Sequence, residues 1–75
     1  MDVTRLIVNE KIYESERFSL EELNRDIKIQ GGGKKIAPGI TVQDYLENLQ
    51  EKGLIKYNPS EKMYVVVSNF LNNPN

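Results

Sequence analysis

The stretch from Thr41 to Val67, TVQDYLENLQEKGLIKYNPSEKMYVVV, constrains the fold more than any other part of the chain. Thr41 is a helix N-cap residue, and Asp44 at the third helical position supplies the reciprocal partner of a capping box. Ile40 before the cap and Tyr45 in the first turns match a hydrophobic staple. Val42, Tyr45, Leu46 and Leu49 fall on one helical face. Gly53 stands where a helix ends in a left-handed residue, with Leu54 placed to touch Leu49 as in a Schellman motif. Two β-rich runs follow, Leu54–Tyr57 and Met63–Val67, joined by the turn-forming residues Asn58 to Lys62. Ile55 and Tyr57 alternate with Leu54 and Lys56, so one face can pack inward.

A second capped helix precedes this unit. Ser19 and Glu22 form an S-x-x-E capping box, Phe18 and Leu23 a staple, and Leu20, Leu23 and Ile27 one apolar face. Between the two helices, Gln30 to Ile40 (QGGGKKIAPGI) is expected to be a loop, because three consecutive glycines break a helix and Pro38 favours extended backbone before it. Upstream, Met1 to about Glu14 reads as a helix with two apolar sides. Val3, Leu6, Ile7 and Tyr13 gather on one, while Val8 and Ile12 point nearly opposite. Either its own domain largely covers this helix, or one stripe faces the core and the other a second subunit. Ser15 to Phe18 is a connector with room for a short strand near residues 16–18. Phe70 and Leu71 are expected to cover the core, and the end at 72–75 to fray.

Seventy-five residues make a single domain, 1–75, whose folding buries only about 60% of the unfolded chain's surface. With neither cysteine nor histidine there is no disulfide and no Cys/His zinc site to compensate, so caps, packing or a second copy must carry the stability. No apolar run exceeds Met63–Val67, far short of a membrane span. The expectation is a soluble, cytoplasmic protein.

The same absences weigh against catalysis. There is no imidazole base or thiolate, the serines have no evident activating partner, and Glu22 and Asp44 are committed to caps. No enzyme activity, metal or cofactor is expected. Gly31-Gly32-Gly33-Lys34-Lys35 departs from the Walker pattern, since Lys35 and Ile36 stand where Ser or Thr should follow. It reads either as a solvated loop or as backbone amides and two ammonium groups that meet a phosphate.

FSLEEL, YLENLQEKGLI and the hairpin that follows resemble the winged helix-turn-helix superfamily over roughly Leu6 to Val67. The resemblance implies an α+β fold, with three helices followed by a two-stranded wing. It implies that Thr41–Lys52 corresponds to the recognition helix and Asn58–Lys62 to the wing tip. A small DNA-binding protein, a transcriptional regulator that binds duplex DNA through the third helix and the Gly/Lys loop, is then the first expectation. Arg25, Lys28, Lys34, Lys35 and Lys62 would contact phosphates, and Thr41, Gln43 and Asn48 would contact bases.

Charge divides that expectation. The net charge is −1, yet residues 25–40 carry four basic groups against Asp26 alone. Residues 41–53 carry three acidic groups against Lys52, which suits a protein partner better than phosphates. The alternative is a protein-interaction module without DNA binding. Its partner surface, or that of a homodimer, would be Val8 and Ile12, or Val3, Leu6 and Tyr13.

Overall fold

The computed structural model describes residues 3–67; Phe70, Leu71 and the end at 72–75 lie outside the described residues. The chain forms a small α+β domain with three helices and a small antiparallel sheet. In order, the elements are α1 (Val3–Glu14), β1 (Arg17–Phe18), α2 (Leu20–Ile29), β2 (Lys35–Ala37), β3 (Ile40–Thr41), α3 (Val42–Glu51), β4 (Ile55–Asn58) and β5 (Met63–Val66). The main sheet runs β1-β5-β4, so the short strand after α1 pairs with the last strand of the hairpin. β2 and β3 form a separate two-stranded ribbon.

The two-sided pattern of α1 resolves into one core face and one exposed stripe. Thr4, Ile7, Val8, Lys11 and Ile12 follow the i, i+3, i+4, i+7, i+8 spacing of a buried helix face, and all but the half-buried Lys11 are fully buried. Val8 and Ile12, expected as a partner surface, are therefore core residues, and Ile7 belongs with them rather than with Val3, Leu6 and Tyr13. The sequence hid this face because two of its five positions are polar. Both polar side chains are satisfied. Thr4 Oγ1 accepts the Gly33 amide at 2.8 Å, and the Lys11 ammonium bridges Glu22 and Asp26 on α2.

Lys11 also explains a local departure at α2. Ser19 Oγ accepts the Glu22 amide at 3.0 Å, as an N-cap should. The Glu22 carboxylate pairs with Lys11 instead of closing the box back onto Ser19. Hydrogen bonds to Glu22, then to Asp26, push the Lys11 pKa above its usual 10.5. A lysine whose pKa is higher folded than unfolded stabilises the fold in full below about pH 10.5 and loses that contribution as pH rises through the folded value. Tyr64, raised above 10.0 first by burial and then by Tyr57 and Glu47, acts in the same direction. Lys11→Met is expected to cost about 1–2 kcal/mol at neutral pH and to weaken the alkaline loss of stability. Urea unfolding between pH 8 and 11.5 checks both; an equally steep alkaline loss in the variant would assign the whole effect to Tyr64.

The third helix follows its signals closely. Thr41 Oγ1 accepts the Asp44 amide at 3.0 Å and the Thr41 amide donates to the Asp44 carboxylate at 3.1 Å, closing the capping box. At the other end Gly53 has φ +76, its amide donates to the Gln50 carbonyl, and the Leu54 amide donates to the Leu49 carbonyl, the Schellman pattern. Val42, Leu46 and Leu49 are buried against Phe18, Leu23, Ile27, Ile36 and Ile55 in one core. Ile40, the expected staple residue, remains 45% exposed on β3.

On the hairpin the inward face is the one that carries Ile55. Ile55 is buried, but Tyr57 on the same strand face lies beyond the core and stays 42% exposed. The register places Tyr64 opposite both Phe18 and Tyr57. Their rings form a row across the sheet, with centroids 5.4 Å apart for Phe18–Tyr64 and 4.9 Å for Tyr57–Tyr64. At the tip, Asn58 Oδ1 accepts the amides of Ser60 and Glu61, and Lys62 takes a left-handed φ of +56.

Candidate functional site

The Gly-rich segment is held, not loose. Gly31 has φ +82, its amide donates to the Lys28 carbonyl, and the Gly32 amide donates to the Ile27 carbonyl at 2.8 Å. This is a second Schellman ending, and it turns the chain back across α1. Gly33 is then anchored on Thr4, and the Lys34 carbonyl accepts the amide of Val42, the first residue of α3, at 3.0 Å. The ribbon begins immediately afterwards, with Lys35 paired to Thr41. The stretch expected as a loop thus contains two short strands. They form because the exposed Pro38–Gly39 turn, with Gly39 at φ +78, folds Lys35–Ala37 back on Ile40–Thr41.

These anchors build a groove of about 600 Å³ between α2, the glycine segment and the start of α3. Leu20, Ile27 and Val42 line its apolar side. Asn24, Lys28, Lys34, Thr41 and Gln43 supply its polar groups, and none of its lining residues is acidic. Four residues expected to touch DNA (Lys28, Lys34, Thr41 and Gln43) are brought together here. Asn24 joins them, and its spacing from Leu20 and Lys28, one helical turn each way, was the available signal. Thr4, which holds the loop in place, had no sequence signal, because its partner lies twenty-nine residues away.

The remaining expected contacts lie elsewhere. Arg25 is exposed on α2 and leans toward Glu21 at 3.7 Å. Lys35 projects from β2 as an exposed residue. Asn48 follows Gln43 by five residues, which places it about 140° around the helix and off the Gln43 side. Lys62 lines a second depression, of about 470 Å³, between α2, α3 and the hairpin. Gln43, Glu47 and Gln50 form the α3 wall of that depression, and Tyr57 and Tyr64 line its hairpin side.

Pairing redistributes the formal charges. Lys11 bridges Glu22 and Asp26, leaving that cluster with one net negative charge, and Arg17 pairs with Glu61 across the sheet. Lys28, Lys34, Lys35 and Lys62 have no ion-pair partner among the described residues. The outermost side of α3 keeps Asp44, Glu47 and Glu51 exposed. Among the described residues no group of three or more acidic side chains is arranged to hold a metal, and no helix is long and apolar enough to cross a membrane. No protein-family model matches the chain, and no curated protein or solved structure matches it.

Proposed function

We propose that the chain is a small winged-helix protein that binds duplex DNA and acts as a regulator. The observation that carries this reading is the groove beside the start of α3, where Lys28 and Lys34 converge with no acidic lining residue. Helix-turn-helix proteins present the N-terminal end of the recognition helix to the major groove. In that pose Gln43 leads, the lysine-edged groove receives the sugar-phosphate backbone, and Glu51 trails outside. The element order and the β1-β5-β4 sheet support the winged-helix reading, with β4–β5 as the wing and the β2–β3 ribbon as an insertion between α2 and α3. Lys62 on the wing adds a cation on the other flank of α3.

Counterion release makes the test quantitative. Each phosphate neutralised adds about 0.9 to the slope of log K against log salt. Lys28→Glu with Lys34→Glu should weaken binding to every duplex and flatten that slope by about two. Fluorescence anisotropy on a mixed-sequence duplex at several salt concentrations reads both. An unchanged slope removes the groove from the interface.

One observation favours a protein partner instead. Val3, Leu6 and Tyr13 form an exposed stripe on α1, opposite the core face, each about half accessible. Sedimentation tests self-association there, and Leu6→Asp is the informative variant because Leu6 is outside the core. A dimer that becomes a monomer in Leu6→Asp supports an interface through the stripe; a monomer at every concentration argues against it.

A further inference from the structure

The acidic side of α3 is the feature that phosphate binding leaves unexplained, and the second depression bears on it. Gln43, Glu47 and Gln50 lie within about 60° of arc on the helix, and all three face the depression that Lys62 also lines. We infer that Gln43, Glu47 and Gln50 are the base-reading stripe of α3, with the Glu47 carboxylate selecting cytosine. This rests on the duplex-DNA reading above and leaves Asn48, expected from the sequence to contact a base, outside the stripe.

The chemistry of the groove edges singles out the base. An ionised carboxylate offers acceptors only. Guanine presents two acceptors in the major groove, thymine an acceptor and a methyl group, and adenine an acceptor beside its amino donor. Each places a repelling or apolar group against the carboxylate. Cytosine presents its N4 amino donor alone. The carboxamides of Gln43 and Gln50 each combine a donor with an acceptor and so match the N6 and N7 edge of adenine. The stripe therefore fits a cytosine flanked by adenines. Glu47 has no ion-pair or hydrogen-bond partner among the described residues, so its acceptors are available. Lys62 and Glu21 line the same depression, so one cation and a second carboxylate flank the stripe.

Selection from a random duplex pool, followed by anisotropy titration of the selected duplex and its single-base variants, tests the inference with wild type, Glu47→Gln and Asn48→Ala. Wild type is expected to prefer cytosine at one position by about tenfold. Glu47→Gln should lose that preference while binding the other bases at least as well, and Asn48→Ala should keep it. Glu47 is exposed, so Glu47→Gln is expected to retain the wild-type melting curve. If Glu47→Gln instead binds all duplexes more tightly with base preferences unchanged, Glu47 acts through charge alone and the inference is wrong. Sequence-independent binding by wild type overturns the stripe and leaves DNA binding intact. Absence of binding to any duplex overturns both.

Discussion

Phe18→Ala is expected to cost about 3–5 kcal/mol of folding stability. Phe18 is fully buried, belongs to a two-residue strand and stacks on Tyr64, so its ring joins β1, the hairpin and the helices in one core. A domain of this length has about 4–11 kcal/mol of total stability at the usual 0.05–0.15 kcal/mol per residue. The substitution therefore removes a large share of it. Phe18→Leu, which keeps most of the volume, should lose less than about 1.5 kcal/mol. Urea unfolding followed by circular dichroism compares the two, and similar midpoints for Phe18→Ala and wild type would mean that β1 is peripheral.

The second large effect is at Gly32. A Cβ there would stand 2.8 Å from Ile27 Cγ2 and 3.0 Å from Thr4 Oγ1. Ile27 and Thr4 are both buried, and neither contact is the far end of a flexible side chain. Something must move, at about 1–3 kcal/mol for overpacking of this kind. The easiest movement lifts the glycine segment from α1, stretching the Gly33–Thr4 hydrogen bond and carrying Lys34 out of the groove. Gly32→Ala should then weaken both folding and duplex binding. Gly33→Ala is the contrast, because a Cβ at that position meets nothing within 4 Å, and its stability should stay within about 0.5 kcal/mol of wild type. Thermal melts of the two variants separate them. Equal melting temperatures would show that the segment does not bear on α1.

Signals that act within a few residues were readable in the sequence. The Thr41–Asp44 box, the Gly53 ending and the Ser19 cap are each completed by neighbours in the chain. Contacts between distant residues were not. Periodicity weighs only apolar residues, so Thr4 and Lys11 made the core face of α1 look polar and left Val8 and Ile12 apparently on the wrong side. The glycine segment looked loose because its anchors, Thr4 and the Val42 amide, belong to other elements. Alternation does not encode how far the inward face of the hairpin reaches: Ile55 is buried, and Tyr57 lies past the core. At the candidate site, residue types identified the cations. Only the fold showed that Lys28 and Lys34 share a groove while Arg25 and Asn48 stand apart from it.

An amide-resolved NMR titration with a short mixed-sequence duplex at low salt tests the proposed function most directly. Shift changes are expected at Lys28, at Gly32 to Lys34 and on α3 at Thr41, Gln43, Glu47 and Gln50, fading as salt rises. A flat titration, or changes confined to Val3, Leu6 and Tyr13 on α1, would contradict DNA binding through this face.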